Sequence, residues 1–95
     1  MDFKLYESKL KTKKYTAEFN KKKIHFGASG YSDYTIHKDD DRKKRYIERH
    51  SKREDWDNIQ TAGALSRWIL WNKKTLDQSI IDTEKRFGIR IENRT

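Results

Sequence analysis

Residues 13–28 read KKYTAEFNKKKIHFGA, and the apolar side chains in this stretch alternate with polar ones. A two-residue period is typical of a strand with one buried face. The alternation breaks after Phe19 and resumes at Ile24, so the stretch predicts a β-hairpin. Asn20 is the residue best able to take a left-handed conformation in the turn. The side chains expected on the buried face are Tyr15, Ala17, Phe19, Ile24 and Phe26.

Two shorter alternating segments lie near the ends of the chain. Phe3 and Leu5 predict a first strand, and Ile89 and Ile91 predict a short last strand at an edge of the sheet. Residues 31–38, which follow the hairpin, are expected to form a loop or short strand rich in aromatic and polar groups.

The apolar period becomes helical at Asp39. One of the three consecutive aspartates at 39–41 is expected to cap a helix through a side-chain oxygen, and this helix should run to about Arg53. Residues 61–71 predict a second helix that is apolar almost all round. Such a helix belongs in the core.

The third predicted helix carries the clearest end signals. Thr75 with Gln78 three positions later fits a capping box, and Gly88 is placed to end the helix. Strands followed by segregated helices are typical of an α+β fold. We therefore expect a single domain, residues 1–95. In it a small antiparallel sheet, with an N-terminal hairpin and a C-terminal edge strand, packs against about three helices.

Composition excludes several classes of protein. The chain has 95 residues, 40% charged and 33% hydrophobic, and a formal net charge of +8, and two domains of half this length would each bury too little surface. Its aromatic content of 13% argues against disorder, because large rings bury enough area to form a small core. It has no cysteine, which excludes disulfides and thiolate-bound metal. With no apolar run of membrane-spanning length and no signal-peptide pattern, we expect a protein that is neither secreted nor membrane-bound.

Positive charge is concentrated on one side of the first predicted helix. Residues 42–53 hold seven basic residues and one acidic residue. At about 100° per residue, five of these cations fall within an arc of roughly 100°, while Tyr46 and His50 fall on the side that faces the protein. The five cations are Arg42, Arg45, Arg49, Lys52 and Arg53.

Nucleic-acid phosphate is the commonest polymeric partner for such a stripe, because each phosphate neutralised by Arg or Lys releases condensed counterions. We expect the lysines of the hairpin turn, Lys21, Lys22 and Lys23, to assist. Phosphate contacts carry no base information, so binding should tolerate any sequence. Other interpretations are that the charges keep a small domain soluble, or that they dock onto a membrane surface or acidic proteins.

Two tyrosines are candidates for stacking on bases. Tyr31 and Tyr34 lie in the segment after the hairpin and outside any periodic apolar face. The alternative is that they hold this segment against the core. The three tryptophans are expected in the core.

No pattern in the chain points to catalysis. The three histidines and the aspartates at positions 33 and 39–41 match no known metal-binding or nucleophile motif. We expect no catalytic residue, no metal ligand and no cofactor. A metal-dependent nuclease would need His37, Asp33 and Asp39 to meet at one divalent ion.

Several stretches of the chain are similar to a known family. They are KKIHFG (22–27), DYTIHKD (33–39), RKKRYIERH (42–50) and SRWILWNK (66–73). Over about residues 13–87 the chain resembles an uncharacterised domain of small basic proteins encoded by large and giant double-stranded DNA viruses and some algae. It departs from that family's pattern at Leu65, where an aromatic is usual, and at Lys74, where proline is usual. The resemblance implies a viral source but no activity.

These observations predict a non-enzymatic viral protein that binds DNA, or alternatively RNA, through phosphates. We expect it in the virion or in the host cytoplasm or nucleus. The first alternative is a minor capsid or scaffold protein that forms a homo-oligomer and docks its basic face onto acidic protein partners, with capsid proteins among the candidates. The second alternative is the metal-dependent nuclease.

Overall fold

Four strands make up one sheet in this computed structural model, which describes residues 2–95. The strands are β1 (Phe3–Glu7), β2 (Lys13–Phe19), β3 (Lys22–Ala28) and β4 (Ile91–Asn93). Their order across the sheet is β3-β2-β1-β4. The pairs β1–β2 and β2–β3 are antiparallel, whereas β4 pairs parallel with β1. A parallel pair needs a long crossover connection, and the helical half of the chain provides it.

The helical segments lie between β3 and β4 in sequence. They are α1 (Tyr34–His37), α2 (Asp40–His50), α3 (Ala62–Leu65), a π-helical turn (Ser66–Leu70) that continues α3, and α4 (Leu76–Phe87). The predicted α+β fold with its N-terminal hairpin is confirmed, and the parallel edge strand makes the sheet mixed. Within residues 2–95, no helix has the length and apolar character needed to cross a membrane.

The core lies between one face of the sheet and the helices. Alternate strand residues supply the sheet side, because successive side chains of a strand point to opposite faces. The buried apolar strand residues are Phe3, Leu5, Ala17, Phe19, Phe26 and Ile91. The helical side is supplied mainly by Leu65, Ile69, Leu70 and Ile80. Tyr15 and Ile24, predicted to be buried, are only partly so and pack against this cluster.

The hairpin turn differs from the prediction in one respect. Phe19 pairs with Lys22, which leaves Asn20 and Lys21 as a two-residue loop. Asn20 does not take the left-handed conformation. Within residues 2–95, Lys38, with φ of 55°, is the only non-glycine residue with positive φ. Lys38 ends α1, where its backbone N–H donates to Tyr34 O.

Residues 31–38 contain a helical turn instead of the predicted loop or short strand. Asp33 caps α1, because its carboxylate accepts a hydrogen bond from the Thr35 backbone N–H at 2.9 Å. Lys14 on β2 forms a salt bridge with the same carboxylate at 2.5 Å. Asp33 is thus fixed to the sheet while it starts the helix.

The aspartate predicted to cap the basic helix is Asp39. Its Oδ1 accepts hydrogen bonds from the backbone N–H groups of Asp41 (2.9 Å) and Arg42 (3.2 Å). The helix ends at His50, three residues before the predicted end. The Arg53 N–H donates to His50 O, so residues 51–53 form a tighter turn that changes the direction of the chain.

The predicted second helix is present but contains a π-helical turn. Thr61 caps α3 by accepting from the Ala64 N–H. At the other end, the Trp71 N–H donates to Ser66 O, five residues back. The Thr83 hydroxyl on α4 lies 2.7 Å from Ser79 O in its own helix and 3.1 Å from Trp68 O in this turn, so it links the two segments. A π-helical turn of this kind is frequent next to functional sites.

Both predicted ends of α4 are confirmed. Thr75 Oγ1 accepts from the Gln78 N–H at 3.2 Å, and Gly88 takes the left-handed conformation with φ of 63°. The glycine ends the helix because it has no Cβ to clash in that conformation.

Candidate functional site

A cleft of about 620 Å³ lies where α2, the end of β3 and α3 meet. We call it the arginine cleft. Its basic lining residues are Arg42, Arg45, Arg49, His50, Lys13 and Lys14. The acidic lining residues are Asp33 and Glu54, and aromatic side chains line it at Tyr31, Tyr46, Phe26 and Trp71.

Three arginines of α2 form one wall of the arginine cleft. Arg42, Arg45 and Arg49 stand three and four positions apart, a spacing that brings side chains onto one helix face. All three are exposed. None of them forms a salt bridge with a carboxylate anywhere in residues 2–95. Their guanidinium groups therefore keep their hydrogen-bond donors available for an anion.

Stacked rings hold this wall in place. The Tyr46 ring lies 4.3 Å from the Trp71 ring with an interplanar angle of 5°. The His50 ring lies 4.4 Å from the Tyr46 ring with an interplanar angle of 27°. Burial raises the pKa of Tyr46 to about 12, and the Glu54 carboxylate contributes to this shift. Tyr46 is thus the buried residue through which α2 packs against Trp71, and the arginines of α2 line the cleft beside it.

The Glu54 carboxylate, from the segment after α2, reaches the same space. Glu54 Oε1 lies 3.6 Å from His50 Nδ1, and Glu54 also lines the cleft. Both side chains are partly exposed, so the pair contributes little to stability. Glu54 matters more as a negative charge beside the arginines.

The opposite wall is fixed by the buried ion pair between Lys14 and Asp33. The Asp33 side chain is 3% exposed and that of Lys14 is 16% exposed. Because each charge compensates the other, Lys14 adds little free positive charge to the cleft. Lys13, which is exposed, supplies the available cation on this side.

The structure brings some of the predicted cations together and separates others. Arg42, Arg45 and Arg49 share the cleft, whereas Lys52 and Arg53 lie in the turn after α2 and are not among its described lining residues. The lysines of the hairpin turn lie at the other end of β3. At about 3.3 Å per residue, β3 separates Lys22 from Ala28 at the cleft by roughly 20 Å.

The two candidate stacking residues have different environments. Tyr31 is 75% exposed and lines the cleft. Tyr34 is only 6% exposed, and its hydroxyl donates to Asp40. This hydrogen bond lowers the pKa of the Asp40 carboxyl and raises that of Tyr34. The prediction that Tyr34 offers its ring to a base is therefore corrected, because the ring is packed inside the protein.

The residues of the nuclease hypothesis have local structural contacts. Asp33 is paired with Lys14, and Asp39 caps α2. His37 Nδ1 accepts a hydrogen bond from the Asp39 backbone N–H at 2.9 Å. The pKa of His37 is lowered, mainly by desolvation and next by the positive charge of Arg42. Among residues 2–95, no three His, Asp or Glu side chains are grouped so that they could hold one metal ion.

Some cleft residues could not be identified from the sequence. Lys13 was visible only as part of a long run of lysines, and Glu54 only as part of a break between helices. Trp71 was expected to be a core residue, and it is half-buried with one side on Tyr46. No local pattern signals that these three residues meet the arginines of α2.

Comparison with known proteins identifies a family. The sequence pattern that defines the family of unknown function DUF5754 matches residues 3–50. The matched range overlaps the resemblance over about 13–87 but starts and stops earlier in the chain. It contains β1, the hairpin, α1 and α2 with the cleft arginines. No curated protein and no solved structure matches the chain.

Proposed function

The chain belongs to the family of unknown function DUF5754, and on that premise we propose from the site itself that it binds nucleic-acid phosphates without catalysis or base readout. The observation that carries this proposal is the wall of three exposed arginines, free of salt bridges within residues 2–95, in one cleft. Arginine is well suited to phosphate because its planar donor fork binds two oxygens at once.

Electrostatics also support the proposal. The chain carries a formal charge of +8, and a positive field of this kind raises the rate at which a polyanion arrives. Like charges held close together on one helix are mutually repulsive, and a bound phosphate relieves this repulsion. We propose DNA as the ligand and RNA as the alternative.

Affinity measured at several salt concentrations tests the function. A labelled oligonucleotide is titrated with the protein and its anisotropy is followed. Three phosphate contacts predict that log K falls with log salt concentration with a slope of about −2 for a single strand and about −2.7 for a duplex. Affinity that does not change with salt would contradict the proposal.

A pair of triple variants locates the interface. Replacing Arg42, Arg45 and Arg49 by Gln should remove most of the affinity and flatten the salt slope. Replacing Lys21, Lys22 and Lys23 by Gln removes the same formal charge at the far end of the hairpin. We expect these turn lysines to assist weakly through the overall field, so the second variant should lose much less affinity. Equal losses in both would reject the cleft as the interface.

We also propose a viral source and a role with the viral genome. The support is the resemblance of residues 13–87 to proteins of large DNA viruses. A small basic protein with a phosphate-binding cleft suits the neutralisation of a packaged genome, and we propose the virion, or the host cytoplasm or nucleus, as its location. Mass spectrometry of purified, protease-treated particles tests the packaging. Recovery of the chain only in nucleic-acid-free assemblies with capsid proteins would favour the scaffold alternative.

A further inference from the structure

The shape of the arginine cleft restricts the form of nucleic acid it can take. A helix that reads a duplex lies in the major groove with its contact side turned away from the protein body. In α2 the arginines lie to one side of Tyr46, which is 7% exposed and stacked on Trp71. The three exposed arginines line a concave space, and a strand bound to them would lie along this cleft.

The size of the cleft points the same way. Its volume of about 620 Å³ lies within the range of roughly 300–1,000 Å³ that is typical of small-molecule sites. A few nucleotides of a strand fit a space of this size, whereas a duplex would meet only its rim. Arg42 and Arg49 are about 10 Å apart along the helix axis, so the wall can follow successive phosphates of one strand.

Tyr31 is a second, independent observation. It lines the cleft with 75% of its surface exposed, and no other ring contacts it within residues 2–95. It follows Gly30, which has φ of 85° and open space around it. An exposed ring beside a row of arginines is the combination by which single strands are bound, because bases stack on the ring while cations hold the backbone.

We propose that the arginine cleft binds single-stranded nucleic acid, with phosphates on Arg42, Arg45 and Arg49 and a base stacked on Tyr31. This deepens the proposed function and rests on it. A base is accessible for stacking only when it is unpaired, so the protein should prefer single strands to a duplex. Preference among bases should be weak, since every base has a ring face to offer.

The test compares three probes with the same protein. They are a labelled thymidine oligonucleotide, a mixed-sequence duplex of equal length, and free thymidine monophosphate as a competitor. We expect the single strand to bind about tenfold or more tightly than the duplex, and the mononucleotide to compete poorly because it engages one phosphate. Competition by the mononucleotide at the affinity of the strand would overturn the proposal in favour of a nucleotide site.

Variants at Tyr31 give the decisive measurement. Tyr31→Ala should weaken the single strand by about fivefold to a hundredfold, the range measured for loss of one stacked base, and should leave duplex binding unchanged. Tyr31→Phe should retain the affinity. Ile36→Ala, an exposed apolar residue outside the cleft, is the matched control and should change nothing. Circular dichroism of each variant shows that it is folded.

The outcomes separate this proposal from the general one. One outcome is that duplex and single strand bind equally, that Tyr31→Ala has no effect, and that the triple arginine variant still loses affinity. The single-strand proposal then fails, while phosphate binding stands. If neither probe binds, both proposals fail.

Discussion

The carboxylate of Glu54 lies directly against the backbone of Gly63, so close that a Cβ built on the glycine would be 1.5 Å from Glu54 Oε2. Glycine at this position in α3 leaves the space through which the carboxylate reaches the arginine cleft. The charge beside the arginines is therefore set by a contact between a loop residue and a helix backbone.

Gly63→Ala should displace the Glu54 carboxylate at little cost in stability. The group it meets is the end of a flexible, partly exposed side chain, and alanine is favoured over glycine within a helix by up to about 1 kcal/mol. We expect the free energy of unfolding to change by less than about 1 kcal/mol. Urea denaturation measures it, and a loss of several kcal/mol would mean that Glu54 is rigidly held.

Gly27→Ala should be far more damaging, which makes it a useful contrast. Gly27 has φ of 78°, and a Cβ there would be 2.7 Å from Leu70 Cδ1 in the core. Left-handed strain and overpacking each cost roughly 1–3 kcal/mol, so we expect a loss of at least about 2 kcal/mol in the same urea experiment. A variant as stable as the original protein would show that β3 and the π-helical turn can move apart.

Glu54→Gln should raise the affinity for nucleic acid. The substitution removes a negative charge from the cleft and keeps the shape of the side chain. A charge several ångströms from a bound phosphate near the protein surface predicts an increase of about two- to tenfold at low salt. The gain should shrink as salt is added, because screening weakens the repulsion. A gain that persists at high salt would point to a change of shape instead of charge.

Stability at alkaline pH should reveal the burial of Tyr46. Its pKa is raised to about 12, whereas in the unfolded chain a tyrosine ionises near pH 10. The unfolded state then releases this proton first, so Tyr46 contributes stability below pH 10 that is lost as the pH rises towards 12. We expect the loss to be about 2–3 kcal/mol.

Tyr46→Phe separates this effect from the titration of lysines. Phenylalanine retains the stacking on Trp71 and has no proton to lose, so its unfolding free energy should fall less between pH 10 and 12. Denaturation curves of the two proteins at matched pH provide the comparison. Parallel pH profiles would show that Tyr46 ionises with the ordinary tyrosines.

Local patterns were sufficient for most of the secondary structure. The alternation from Tyr15 to Phe26 and the caps at Asp39 and Thr75 act over a few neighbouring residues, so they are readable without tertiary contacts. The helical turn at 34–37 could not be predicted in this way. Its start depends on Asp33, whose carboxylate is held by Lys14 from a distant strand. The parallel pairing of β4 likewise depends on where α4 returns the chain.

Local sequence patterns alone predicted the α+β class, the hairpin, the ends of α4, an aspartate cap on α2 and a stripe of five cations, of which Arg42, Arg45 and Arg49 lie on α2. Tertiary structure alone decided that this row walls a cleft with Tyr31 and Lys13, that Tyr34 is buried, and that the turn lysines lie far away. The difference lies in how far apart in sequence the interacting residues are. Helix and strand periods are set by neighbours within a few residues, whereas a cleft forms where segments distant in sequence pack together, here through the Tyr46–Trp71 stack.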